Sequence, residues 1–279
     1  MTAVPQSLSE TLSHRYALER EIGRGGMATV YLARDTGDGR AVAVKVMHEA
    51  LVATVGADRF LREMELAATL VHPRIVPLVD SGTAGRLLYY VMPYVEGETL
   101  YERLERERRL PMDEALRIAG DVASALSYAH GRGVLHRDIK PENVVLAAAG
   151  AMVLDFGLAR AIGTADYRRL TQTGIIVGTV FYMSPEQIRE DRDLDQRTDI
   201  YGLGCILYEM LTGAPPFVGR SLSDIISKIL RGSYPSVRSV RPDVPAAVEE
   251  VMRRALAKSV DQRFASADDF AAALAAGRR

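Results

Sequence analysis

A single cysteine among 279 residues, Cys205, excludes an internal disulfide, and alone it cannot build a structural zinc site. Neither sign of charge is in surplus: 35 Lys and Arg stand against 36 Asp and Glu, a formal net charge of −1. That balance gives no general attraction to nucleic acid or to an anionic membrane surface. No apolar run approaches the ~18 residues a membrane helix needs, and the opening MTAVPQSLSETLSHR lacks the apolar core of a signal peptide. Gly and Pro, at 23 and 12 residues, stay far below the ~25–30% that marks low-complexity chains. Lysine is scarce as well. Only Lys45, Lys140, Lys228 and Lys258 occur, so their positions matter wherever a compact ammonium does what a planar guanidinium cannot. What remains, 48% apolar and 25% charged, is the ordinary globular mix at a length suited to one bilobal or two modest domains. The reading is a soluble, reduced, cytoplasmic protein with no nucleic-acid partner and no membrane contact by this segment.

Residues 1–15 are polar, rich in Ser and Thr, and lack periodicity, which predicts a flexible tail. From Tyr16 to Met92 the pattern is mostly strand-like. TVYLAR (29–34) and AVAVKVM (41–47) are β-prone runs separated by the turn-rich Asp35-Thr36-Gly37-Asp38-Gly39. One helix interrupts them: in 58–70, Phe60, Leu61, Met64, Ala67 and Ala68 recur at three- and four-residue spacing. After Gly97 the character turns helical. In 100–110, Glu102 precedes Arg106 and Glu105 precedes Arg109, predicting an i,i+4 charge ladder on a solvated face. A long helix over 111–133 ends at Gly131 and Gly133, and helical patterns recur near 197–212, 222–230, 245–256 and 266–276. The organisation is a small sheet-rich lobe (16–92), a connector (93–97) and a larger helical lobe (98–279).

Ile22-Gly23-Arg24-Gly25-Gly26-Met27-Ala28-Thr29-Val30 contains G-x-G-x-x-A. A dinucleotide-binding turn also accepts Ala in the last place, but it needs a helix directly after the loop. Here a strand–turn–strand follows, so the sequence favours a glycine-rich hairpin lying over phosphates. A plain glycine turn that binds nothing is the bland alternative until other motifs are counted.

Those motifs follow in order. Val42-Ala43-Val44-Lys45 matches the V-A-x-K strand of protein kinases. A lysine flanked by Ala43, Val44 and Val46 calls for a carboxylate partner. Glu63, on the next helix, falls where that partner is expected, whereas Glu65 points about 200° away. His136-Arg137-Asp138-Ile139-Lys140-Pro141-Glu142-Asn143 matches H-R-D-x-x-x-x-N in full. Asp155-Phe156-Gly157 comes twelve residues later, and Ser184-Pro185-Glu186 stands where A-P-E is expected. From about Tyr16 to Ala275 the chain resembles the eukaryotic-like protein kinases. Its details (GRGGM, HRDIKPEN, SPEQ, Thr171-Gln172-Thr173) look most like the bacterial receptor-type Ser/Thr kinases.

The resemblance implies an α+β bilobal protein-kinase fold and an ATP- and Mg2+-dependent transfer to Ser/Thr hydroxyls of proteins, with Mn2+ an alternative cation. Lys45, held by Glu63, would grip the α/β-phosphates, and Asn143 and Asp155 would supply hard oxygen ligands to the metal. Asp138 would accept or orient the substrate hydroxyl proton. Lys140 would contact the γ-phosphate, and Thr179 would dock on Asp138 and Lys140. The nucleotide would be covered by Ile22, Gly23, Arg24, Gly25, Gly26, Met27, Ala28 and Val30. Ala43 and Val145 would sandwich the adenine, with Met92 as gatekeeper and hinge bonds from the Pro93 carbonyl and the Val95 N–H. In the segment 155–186 the candidate acceptors are Thr164, Tyr167, Thr171, Thr173 and Thr179. Thr171 and Thr173, after Arg168 and Arg169, are the expected autophosphorylation sites, modified in trans by a transient homodimer. Glu186 is expected to pair with Arg263, Asp199 to brace the catalytic loop, and Cys205 and His136 to be packed core residues.

Two other classes compete. A pseudokinase scaffold usually lacks one of the Lys, Asp or Asn groups, all of which are present. A small-molecule phosphotransferase shares the H-x-D-x-x-x-x-N loop but generally lacks the segment ending in P-E. Protein substrates, activating signal and oligomeric state are not legible, and the native chain is open to continuation into a linker and a membrane span.

Overall fold

The computed structural model describes residues 6–49, 52, 56–158 and 179–277, which fall into two compact units. The first holds the described residues up to Glu96, with Gly157 and Leu158. Its centre is an antiparallel sheet of β1 (Tyr16–Arg24), β2 (Ala28–Asp35), β3 (Ala41–Met47), β4 (Asp80–Ala84) and β5 (Leu87–Pro93), in the order β1-β2-β3-β5-β4. The β2–β3 turn is closed by Gly39 N–H donating to Asp35 O at 2.8 Å and Gly37 N–H donating to Asp35 Oδ1 at 2.8 Å. This is the side-chain mimicry of a backbone turn that Asp favours.

Two-residue alternation sorts the sheet into two faces. Val42, Val44 and Val46 of β3 join Tyr31, Ala33 and Val91 in one buried cluster. The opposite face carries the row Val30↔Lys45↔Tyr90 and its neighbour Leu32↔Ala43↔Met92, because directly paired residues point the same way. A helix α2 (Ala57–Ala67) buries Phe60, Glu63, Met64 and Ala67, a spacing that gives one continuous stripe, and Phe60 lies 6.4 Å from Tyr90 ring to ring.

The predicted flexible tail needs correction. Residues Gln6–Leu12 form a helix, α1, whose Leu8 and Leu12 are 2% and 1% exposed within the Val42–Val44–Val91 cluster, together with Tyr16. Arg15 Nη1 at 2.8 Å and the Tyr16 hydroxyl at 3.0 Å both reach Asp80 Oδ2 and pin the end of this segment to β4. Burying a leucine is worth about 1.5–3 kcal/mol, enough for a seven-residue helix that would not form alone.

The second unit runs over 97–156 and the described residues from 179 onward. A small antiparallel sheet, β6 (Gly97–Thr99), β7 (Val144–Ala147) and β8 (Gly150–Val153), sits among α3 (Leu100–Glu107), α4 (Met112–His130), α5 (Pro185–Arg189), α6 (Arg197–Thr212), α7 (Leu222–Arg231), α8 (Val237–Val240), α9 (Ala246–Ala255) and α10 (Ala267–Ala276). The β6–β7 approach demands a glycine: at Gly97, with φ 157°, a Cβ would stand 2.3 Å from Leu146 O. Helix α6 is buried at nearly every position from Thr198 to Leu211, so it is a central helix wrapped by α4, α9 and α10. Cys205 lies in it at 0% exposure, and burial pushes its thiol well up, as suits an inert packed sulfur.

The charge ladder expected on α3 does not form. Glu102 instead closes a capping box, its Oε2 accepting from Thr99 N at 2.8 Å while Thr99 Oγ1 accepts from Glu102 N at 3.1 Å. Arg106 turns to Glu98, which also takes Arg103 Nε at 2.6 Å. The paired cations hold the Glu98 carboxyl down at about 2.

Candidate functional site

In the first unit the motif residues gather on one sheet face. Gly23 is paired with Val30, Val30 with Lys45 and Ala43 with Met92. Lys45 Nζ stands 5.8 Å over the Tyr90 ring. Between β1 and β2 the turn is closed by Gly25 N–H donating to Ala28 O at 2.9 Å. Ala28 already belongs to β2 and does not have positive φ, so alanine costs nothing in the place of a third glycine. Arg24 points back to Glu21, with Nε–Oε1 2.9 Å and Nη2–Oε2 2.6 Å. Ile22 and Met27 are half-buried beside this turn, and Gly26 is exposed at its tip. On α2, Glu63 is 8% exposed in the buried stripe, whereas Glu65 faces solvent. The segment after β5 carries Pro93 and Val95 half-buried, and Tyr94 N–H donates to Ala41 O at 3.1 Å.

In the second unit the loop 136–143 is fixed from several sides. Asp199 at the start of α6 accepts His136 N–H at 2.9 Å, Arg137 N–H at 2.6 Å and His130 Nε2 at 2.8 Å. Burial works to raise this carboxyl, but the His130 bond and the other donors win and hold it below the ordinary aspartate range. His136 is 0% exposed. Its Nε2 lies 2.7 Å from Leu154 O, and a carbonyl only accepts, so Nε2 carries the hydrogen and Nδ1 accepts Asp138 N–H at 3.2 Å. Its ring meets Phe156 edge-on at 4.7 Å. Both Arg137 and Asp155 sit at φ 66°, a conformation that costs non-glycine residues and persists where neighbours over-determine it. For Arg137 the clamps are Asp199 on its N–H and Gln187 Nε2 on its carbonyl at 2.7 Å. Gly202 lets α6 come this close, since a Cβ there would stand 3.0 Å from Ile139 O.

The loop so held brings four polar side chains together. Lys140 Nζ lies 2.9 Å from Asp138 Oδ2 and donates to Thr179 Oγ1 at 3.0 Å. Asn143 Nδ2 donates to Asp138 O at 2.8 Å and Oδ2 at 3.1 Å. The Asn143 amide nitrogen is thus committed to Asp138. Among the described residues no group of three or more His, Cys, Asp or Glu forms a metal cage. A divalent cation held by Asn143 and Asp155 would meet one amide oxygen and one carboxylate, hard oxygen donors of the kind such cations take. Val145 follows on β7, buried at 6% exposure.

Beneath the loop, Glu186 takes Arg263 Nη1 on Oε1 at 2.6 Å and Nη2 on Oε2 at 2.8 Å, while Thr198 Oγ1 donates to Oε1 at 2.9 Å. Ser184 and Gln187 form a capping box on α5 in which Gln187 Oε1 accepts Ser184 N–H, leaving Gln187 Nε2 to donate to Arg137 O. Motif reading gave no role to Gln187 or His130, although the S-x-x-Q spacing of the first was a signal. It also passed over Tyr182, whose hydroxyl donates to Glu209 Oε2 at 2.6 Å. Burial pushes that glutamate up to about 7. Thr171 and Thr173, with Thr164 and Tyr167, lie outside the described residues.

Three comparisons bear on this arrangement. The family model of the protein kinase domain matches residues 16–273. Serine/threonine-protein kinase PknB of Mycobacterium leprae is 41% identical over 269 residues, covering 94% of this chain and 43% of its own length. PknB of Mycobacterium tuberculosis strain H37Rv is 42% identical over 269 residues with the same coverage. The chain thus spans 43% of the length of these curated relatives. Among solved structures, the Mycobacterium tuberculosis PknI kinase domain superposes with a TM-score of 0.76 at 34% identity, covering 94% of this chain and 96% of that one.

Proposed function

The chain belongs to the protein kinase family, as a bacterial serine/threonine kinase domain of the eukaryotic-like type, and from that premise we propose that it transfers the γ-phosphate of ATP to Ser and Thr hydroxyls of proteins. The family uses ATP and a divalent metal, and its substrates are proteins. The observation that carries the reading is the convergence of Asp138, Lys140, Asn143 and Thr179 on a loop held in a strained, multiply clamped backbone.

In this reading the substrate oxygen forms a bond to the γ-phosphorus as the bond from that phosphorus to the oxygen of ADP breaks. The hydroxyl proton goes to Asp138, whose carboxylate Lys140 and Asn143 keep aimed. Lys140 also offsets charge on the moving phosphoryl group. Asn143 and Asp155 would hold Mg2+, or Mn2+, whose charge screens the phosphates. Lys45, oriented by the buried Glu63, grips the α/β-phosphates under the turn from Ile22 to Ala28. Val30, Ala43 and Met92 supply apolar surface for the adenine, and the Pro93 carbonyl and Val95 N–H its hydrogen bonds. Thr179 supports the substrate-docking end of the loop.

Lys45→Met is expected to lower autophosphorylation by at least about a hundredfold, and Glu63→Gln to give the same defect more mildly. The exposed Glu65→Gln serves as control. A crippled Glu65→Gln beside a silent Glu63→Gln in a radiolabel transfer assay would move the ion pair to the other register.

Regulation follows from Arg137, which directly precedes Asp138. A phosphate at Thr171 or Thr173 adds about −1.5 to −2 charges and makes charge-assisted bonds to arginines, ordering the segment. We place this modification in trans, through a transient homodimer, in a domain on the cytoplasmic side of a longer, membrane-anchored kinase. Among the described residues no helix is long and apolar enough to cross a membrane. Incubation with Mg-ATP followed by mass spectrometry tests activity and phosphosites together. Phosphate is expected on Thr171 or Thr173, and the double Thr→Ala variant should lose about tenfold or more in activity. A fully active, unphosphorylated double variant would reject this mode of regulation.

A further inference from the structure

The residue after the Lys45 strand turns back onto the glycine-rich turn. His48 N–H donates to Met27 O at 2.9 Å, extending the β2–β3 ladder one step beyond the pair Ala28↔Met47. Its imidazole then bonds on both sides of that point, with Nδ1 3.1 Å from Gly26 O and Nε2 3.1 Å from Thr29 Oγ1. A carbonyl only accepts, so Nδ1 carries the hydrogen and Nε2 receives the Thr29 hydroxyl. Thr29 is 5% exposed, so the anchoring end of the link is fixed in the sheet while its other end reaches the turn's exposed tip.

A turn with glycine at 23, 25 and 26 has unusual backbone freedom, and ordering it over a ligand costs entropy that preorganisation removes. We propose that His48 is a positioning residue that latches the glycine-rich turn in the conformation that covers the nucleotide phosphates. The proposal rests on reading the turn as the phosphate cover. It asks nothing of the imidazole but two hydrogen bonds in fixed directions, and that makes it separable by side-chain geometry. Asparagine places its amide nitrogen where Nδ1 stands and keeps the Gly26 bond. Glutamine reaches the Nε2 position and loses it.

The test is ATP-dependent phosphorylation of a generic protein substrate by wild type, His48→Ala, His48→Asn, His48→Gln and Thr29→Val. For His48→Ala and His48→Gln the KM for ATP should rise about five- to tenfold, with kcat and the KM for protein substrate within about twofold. His48→Asn should stay within about twofold of wild type, and Thr29→Val should rise by about two- to threefold. In nucleotide-free protein, amide exchange at residues 25–27 should quicken about tenfold in His48→Ala while that of β3 is unchanged. A KM for ATP within twofold of wild type in His48→Ala, or equal losses in the Asn and Gln variants, would overturn the latch. Should His48→Ala fail to fold, Thr29→Val and His48→Asn decide by the same readouts. A wild type that phosphorylates nothing would reject the kinase reading instead, and the exchange rates would still judge the latch.

Discussion

Asp138→Asn is expected to abolish phosphoryl transfer, lowering kcat by about 10²–10⁴, while thermal stability and ATP affinity stay near wild type. The replacement keeps the shape of the side chain. Its amide oxygen can still accept from Lys140 Nζ and Asn143 Nδ2, which now reach Asp138 Oδ2 at 2.9 and 3.1 Å. The backbone clamps on His136 and Arg137 come from Asp199 and are untouched. What disappears is the negative charge and the capacity to take a proton. The loss should therefore fall on the chemical step rather than on folding or nucleotide binding. Activity within threefold of wild type in a γ-phosphate transfer assay would remove Asp138 from the mechanism.

The largest stability effect should come from the pair beneath the loop. Arg263 is 3% exposed and Glu186 4%, and the guanidinium also donates to Ala257 O at 2.9 Å and Arg197 O at 3.0 Å. Glu186→Ala leaves that cation buried without its anion. A broken buried pair costs about 3–5 kcal/mol, or a fall in melting temperature of about 6–20 °C for a domain of this size. Burial works to raise the Glu186 carboxyl, but its two Arg263 bonds prevail and hold it low. A carboxylate depressed in the folded state stabilises above the ordinary glutamate range, and that contribution disappears as the pH falls through its folded value. Glu186→Gln should accordingly flatten the acid limb of the stability–pH curve. Calorimetry showing a Glu186→Ala protein melting within 2 °C of wild type would mean that the pair carries no net stability.

Sequence reading recovered the parts of this protein that chemistry constrains. Asp138, Lys140 and Asn143 do come together in the structure, Lys140 Nζ and Asn143 Nδ2 both reaching Asp138 Oδ2, and their spacing is visible without a structure. The run 41–47 was legible as a strand with an apolar-flanked Lys45, but which of its residues face the buried cluster emerges only from the pairing. For α6 the helical pattern near 197–212 and a packed Cys205 were legible, and the structure buries nearly the whole helix around that residue. Other features depend on partners far along the chain. His130 matters through a residue 69 positions away, and Gln187 through one 50 positions away. The charge ladder failed because helical spacing takes no account of the N-cap, where Glu102 is already committed to Thr99. Helix α1 failed for a third reason. Two leucines one turn apart in a polar stretch carry no signal until the sheet face they cover has been built from residues 31–91.

That helix separates two boundaries that are easily equated. The family model begins its match at residue 16, whereas the packing already includes Leu8 and Leu12, which are more deeply buried than Val42 or Val46 of β3. In the loop 136–143 the packing and hydrogen bonds demand particular chemical types. On α1 they demand only volume and spacing. Any pair of apolar side chains one turn apart, on a segment able to reach the sheet, would satisfy that demand. Such a segment can drift in sequence while its place in the packing is kept.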